Sequence, residues 1–198
     1  MAEHDEHEIE TDEQEAPRID PERAARRAAA MRMVRQWGDP VLKSRAMPVT
    51  QFDDDLRRQI EGMGAIMEDA FGIGLAATQL GKLNRVLVYR VEQDSPVIAL
   101  INPELEWSGE EVEGAEEGCL SLQGVLVEVE RPVNVRVRAQ DETGAQVTVE
   151  ASGLEARVIQ HEMDHLDGVL ILDRTSRGER KQAMRALREQ AAADDQAA

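Results

Sequence analysis

The chain is poor in thiols and in aromatic area: one cysteine, and 3% aromatic residues, in 198 positions. A single thiol, Cys119, excludes an intramolecular disulfide and suits a reducing compartment. With so few rings, Leu, Ile, Val, Met and Ala must build the core. No run approaches the ~20 apolar residues of a membrane span. The N-terminal segment has neither the apolar run of a secretory signal nor the Arg-rich, acid-poor make-up of a transit peptide, so the cytoplasm is the expected location. Positive charge is also scarce, with 23 basic against 40 acidic residues and a formal net charge of −17. Such a field repels nucleic acid and anionic membrane, and makes the chain a poor general binder of either. The length suffices for one domain with a core, and not for two ordinary ones.

Residues Met1 to about Ala16 carry eight acids and almost nothing to bury, which predicts disorder. The Ala- and Arg-rich stretch from Asp20 to Met33 follows, with Pro21 placed to open a short helix. Together, residues 1–32 read as an acidic, then basic, largely disordered extension. The folded unit is expected over 33–189, and 190–198 as a frayed tail. Leu56, Ile60, Met63 and Met67 recur at three- and four-residue steps, predicting a helix from Asp53 to Ala70. Strand-like runs cover Arg85–Val91, Val97–Ile101, Val125–Glu130, Val133–Ala139 and Gln146–Ala151, with a hairpin turn at Asp141–Gly144. The helical period returns from Leu154 to Leu166 and from Arg177 to about Glu189. Grouped strands flanked by helices predict an α+β fold with antiparallel sheets.

Of four histidines, His4 and His7 lie in the acidic segment; His161 and His165 stand four apart in His161-Glu162-Met163-Asp164-His165. On a helix that spacing puts both imidazoles on one face, able to share a metal ion, with Glu162 beside them as a general base. A catalytic site of this kind wants a third protein ligand. Cys119, in Glu117-Gly118-Cys119-Leu120-Ser121, is one candidate; Asp173 and Glu179 are others. A third segment, Gly72-Ile73-Gly74-Leu75-Ala76-Ala77-Thr78-Gln79, allows close backbone approach at its glycines and an amide donor at Gln79. It is no phosphate loop, because no Gly-Lys-Ser/Thr follows.

Taken together, GIGLAATQ from Gly72, EGCLS from Glu117 and QHEMDHLDG from Gln160 resemble the signatures of the peptide deformylase family, in the same order. Gly38-Asp39-Pro40-Val41-Leu42 resembles its N-terminal segment, so the likeness runs from about Met33 to Asp173. The resemblance implies one domain with antiparallel sheets packed around a central metal-binding helix. It implies Cys119, His161 and His165 as ligands of one divalent ion, Fe²⁺ foremost, with Zn²⁺, Ni²⁺ or Co²⁺ able to occupy the same site. Metal-bound water would attack the formyl carbon of an N-formyl-methionyl nascent peptide, Glu162 serving as general base and acid. Gln79 and the Leu120 N–H would hold the oxyanion. Gly74 would receive the substrate backbone, and the methionine side chain would lie near Ile73, Leu120, Leu154 and His161. A departure is Gln123, where the family often has proline, which should loosen that turn. A zincin-like peptidase is the rival reading; it takes a distant carboxylate as ligand and leaves Cys119 idle. A catalytically idle binding module would show losses at Glu162 or Gln79, and neither is lost. The basic helix from Arg177 presents Arg177, Lys181, Arg185 and Arg188 on one face, either solvated or in weak contact with the ribosome.

Overall fold

The structure is a computed structural model that describes residues 20–197. The acidic segment predicted to be disordered, with His4 and His7, lies outside the described residues. In chain order the elements are α1 (Pro21–Met31), α2 (Asp54–Asp69), β1 (Gly74–Ala76), β2 (Val86–Tyr89), β3 (Ile98–Ser108), β4 (Val112–Gly118), β5 (Leu126–Pro132), β6 (Asn134–Gln140), β7 (Gln146–Ser152), α3 (Gly153–Leu166), α4 (Ile171–Arg174) and α5 (Arg177–Ala197). Five strands form one antiparallel sheet in the order β1-β2-β3-β6-β7, and β4 pairs with β5 in a separate ribbon.

The sheet lies between α2 and α3. In β2 the residues alternate between the two faces: Leu87 and Tyr89 join the α3 side, while Val86 and Val88 join the α2 side. Burial on both faces explains why β2 is uniformly apolar. The α2 stripe predicted from periodicity, Leu56, Ile60, Met63 and Met67, is the buried one. Each such side chain taken from water contributes roughly 1.5–3 kcal/mol. From α3, Ala156, Ile159 and Leu166 pack on Leu100, Val135 and Val137. A third cluster joins β5, through Val127 and Val129, to Leu170–Leu172 and to Ala183 and Leu187 of α5.

The ends of α2 are chemically explicit. Asp53 caps its start by accepting the Leu56 N–H at 3.0 Å. At its end the Phe71 N–H donates to Glu68 O (3.0 Å) and the Gly72 N–H to Met67 O (2.9 Å). This is a Schellman cap, whose left-handed residue is usually glycine; here it is Phe71, with φ 62°. The β6–β7 turn is as predicted: Asp141 Oδ1 accepts the Thr143 and Ala145 N–H groups, and Gly144 takes φ 87°.

Several boundaries differ from the expectation. The Gly74 segment, which none of the expected strand runs covers, is strand β1, formed by pairing Gly74–Ala76 with Leu87–Tyr89. Strand β4 has no apolar alternation of its own; it exists because β5 pairs with it residue for residue. Strand β3 continues to Ser108 past register shifts around Pro103. Helix α5 runs to Ala197, beyond the end expected near Glu189, through alanines that favour helix.

Candidate metal centre and active site

Helix α3 carries His161, Glu162 and His165, and the loop after β4 carries Cys119. The two imidazole rings lie 5.0 Å apart, and Cys119 Sγ is 3.2 Å from His165 Nε2. One ligand atom from each of the three lies within 4.8 Å of the others. The donor chemistry fits a divalent transition metal: a thiol that binds as thiolate and two imidazoles. His161 Nδ1 is 2.9 Å from Glu117 Oε2, which leaves its Nε2 for the centre, the usual carboxylate–histidine pairing behind a ligand. The rival ligands are engaged elsewhere. Asp173 accepts from Lys43 at 2.5 Å and from the Leu170 N–H at 2.9 Å; Glu179 accepts from Thr175, Ser176 and the Glu128 N–H.

Glu162 is buried, and its Oε2 has no hydrogen-bond partner among the described residues. Burial pushes its pKa up to about 7, against the lowering pull of His161 and Arg131. A Cβ on Gly74 would stand 2.9 Å from Glu162 Cδ, so only glycine lets β1 lie against this carboxyl. Gln79, in the 3₁₀ turn Ala77–Leu80, accepts the Ala76 N–H through Oε1 at 2.9 Å. Its orientation is therefore fixed, with Nε2 turned to Ser121 Oγ (3.3 Å) and Cys119 Sγ (3.7 Å).

A cavity of about 550 Å³ opens over these groups. Of the residues expected from sequence, Ile73, Gly74, Gln79, Cys119, Leu120, Leu154, His161 and Glu162 line it. His165 is buried beside Cys119. The backbone around Leu120 is held from an unexpected source, the segment 34–37. The Arg35 N–H donates to Gln79 O (2.7 Å), the Trp37 N–H to Ser121 O (2.9 Å), and Gln36 Nε2 to Leu120 O (3.3 Å).

Comparison with known proteins agrees with this geometry. The family model for polypeptide deformylase matches residues 31–181. The chain belongs to the polypeptide deformylase family. It is 48% identical over 160 residues to a peptide deformylase of Acidothermus cellulolyticus, covering 81% of this chain and 87% of that one. Against a Thermotoga neapolitana peptide deformylase the identity is 51% over 144 residues, covering 73% and 87%. Among solved structures, a peptide deformylase from Synechococcus elongatus in complex with actinonin has TM-score 0.75 and 43% identity, covering 77% of this chain and 85% of that one. The Thermotoga maritima enzyme has TM-score 0.70 and 48% identity, covering 72% and 96%. As a member of this family the chain is an enzyme of the peptide deformylase kind.

Sequence reasoning missed what surrounds the candidate ligands. Arg131 is buried on β5 and makes a bidentate pair with Glu117 (2.6 and 2.9 Å) and a bond to Asp164 (2.9 Å). Arg157 adds a bond to Glu117 (2.9 Å), and Arg174 holds Asp164 (3.0 and 2.5 Å). Burial alone would raise the Glu117 pKa; the Arg131 and His161 bonds overcome it and hold the carboxyl down at about 2. Burial would lower the His161 pKa, but the Cys119 sulfur and Glu117 outweigh it and push it up to about 10, whereas burial, with the charges of His161 and Arg131, holds His165 well below its ordinary value. The signal for Arg131 was in the alternation: Val127, Val129 and Arg131 point inward together. The turn at Gln123 also differs from expectation. It is not left loose, because Gln123 Nε2 donates to Gln36 Oε1 at 3.0 Å, tying it through Gln36 to Leu120.

Proposed function

We propose that the chain removes the N-formyl group from the N-terminal methionine of newly synthesised proteins in the cytoplasm, releasing formate. The observation that carries this reading is the meeting of Cys119, His161 and His165 beside a buried Glu162, whose Oε2 has no partner among the described residues, at a mostly apolar cavity. A divalent ion held by those three ligands, Fe²⁺ in our reading with Zn²⁺, Ni²⁺ or Co²⁺ as substitutes, supplies Lewis acidity and lowers the pKa of water.

The chain's own groups do the rest. Glu162 takes a proton from the water that adds to the formyl carbon, and returns it to the methionine nitrogen as the C–N bond breaks. Burial raises its pKa above that of a solvated carboxyl, the direction that suits a group which must both take and return a proton. Gln79 Nε2, aimed by the Ala76 N–H, and the Leu120 N–H donate to the formyl oxygen as it becomes negative. The substrate backbone adds as a strand along Gly74, since β1 has β2 on one side only. Its methionine side chain enters between Ile73, Leu120, Leu154 and His161, which share the cavity wall.

The test is formate release from a short formyl-Met peptide by anaerobically purified protein loaded with Fe²⁺ or Ni²⁺, with Glu162→Ala as control. Release by wild type alone supports the reading. No release with one metal bound per chain refutes it and turns attention to unformylated peptides. On α5, Arg177, Lys181, Arg185 and Arg188 are all exposed, Arg185 paired with Glu189 at 2.8 Å, while Ala183 and Leu187 face the core, so this basic face is open to solvent and to a weak ribosome contact. Charge reversal there should then reduce co-sedimentation with ribosomes.

A further inference from the structure

Helix α1 precedes most of the segment that matches the family, which begins at residue 31, yet Arg27 and Met31 at its C-terminal half line the catalytic cavity. What holds Arg27 there is Phe71. The Arg27 guanidinium carbon is 5.7 Å from the Phe71 ring centroid, and that of Arg23 is 4.5 Å away. Phe71 is the bulky residue in the left-handed position of the α2 cap, where glycine would be unstrained. A strained position kept by a ring that seats two guanidinium groups at a cavity mouth is a feature that needs a use.

The path of the substrate supplies one. Beyond Gly74, residues Leu75 and Ala76 are fully buried, so a peptide added to β1 cannot continue that way. It must leave in the other direction, antiparallel to β1, past Ile73 and Phe71, which are 44% and 39% exposed. At ~3.3 Å per residue, the second or third residue after the formyl-methionine reaches the level of Phe71. We infer that Arg27, seated on Phe71, makes this deformylase favour chains with an acidic side chain at the second or third position after the formyl-methionine. The inference rests on the deformylase reading above. Glu116, exposed and lining the same cavity, is a competing charge.

The experiment compares kcat/KM for formyl-Met peptides carrying Asp, Ala or Lys at those positions, in wild type, Arg27→Glu and Phe71→Gly, at low and high salt. The expected result is an Asp-over-Lys ratio above one for wild type. It should fall about fivefold or more in Arg27→Glu, and shrink with salt, as for an exposed charge pair. Phe71→Gly keeps the cap in its preferred residue, so it should fold at least as well, and its Asp-over-Lys ratio should also fall. Equal ratios in wild type and Arg27→Glu would overturn the inference while leaving deformylation standing, and a wild-type preference for Lys would give the rim to Glu116. Absence of formate release from every peptide would remove the deformylase reading itself, and this inference with it.

Discussion

Arg131→Met tests how the site is held. The substitution keeps length and apolar bulk on β5 but removes three hydrogen bonds, two to Glu117 and one to Asp164. Breaking a buried ion pair by deleting one partner costs ~3–5 kcal/mol, because the other charge is left uncompensated. Here the loss should sit at the lower end, about 3 kcal/mol, since Arg157 still reaches Glu117 and Arg174 still holds Asp164. With a urea slope of ~2 kcal/mol per M, the midpoint should fall by about 1.5 M. Metal affinity should fall as well, by ~10-fold or more, because Glu117 orients His161 and would lose its bidentate anchor. Equilibrium urea unfolding and metal competition against a chelator read the two effects separately. A midpoint shift under about 0.3 M would mean that the surrounding charges compensate fully, and the argument from buried charge would be wrong.

Gly74→Ala should reduce kcat/KM by about 10²-fold or more with near-normal folding, because the new methyl meets Glu162 and displaces it; steady-state kinetics with circular dichroism check this. Gln79→Glu keeps an acceptor for the Ala76 N–H but removes the donor, so kcat should drop ~10²–10³-fold with little change in KM. Asp173 has its pKa lowered: burial raises it, but bonds from Lys43 and the Leu170 N–H win. A lowered carboxyl contributes stability above its unfolded pKa and loses it as pH falls through the folded value. Asp173→Asn should therefore cost less than about 1 kcal/mol, because the pair is solvent-screened, equally from pH 7 down to about pH 5, and progressively less as pH falls below the unfolded carboxyl value of about 3.9, measured by urea midpoints across that range.

The parts of the fold written in side-chain period were legible. Leu56, Ile60, Met63 and Met67 gave α2, and the alternating Val135 and Val137 gave β6. The parts that depend on a distant partner were not. Strand β4 is mostly glutamate and glycine, and becomes a strand only by pairing with β5. Strand β1 carries no strand period of its own, because its glycine serves the approach of Glu162 from α3, far along the chain. At the site, the ligating types were visible because histidine and cysteine are so rare here. The supporting residues were hidden for a different reason. Gln36, Gln123 and the backbone of Arg35 and Trp37 act through hydrogen bonds that no spacing encodes. Glu117 and Asp164 stood inside the quoted motifs, but nothing in the motifs says that Arg131 joins them.

Strand β1 is three residues long and is bordered by another strand on one side only. A catalyst that completes its own sheet with a borrowed strand can accept only a chain end that is still extended. An N-terminus already wound into a helix, or paired within its own domain, offers no free ladder of N–H and C=O groups to lend. Under the strand-addition reading, the deadline for deformylation is then set by the client, at the moment its first residues fold.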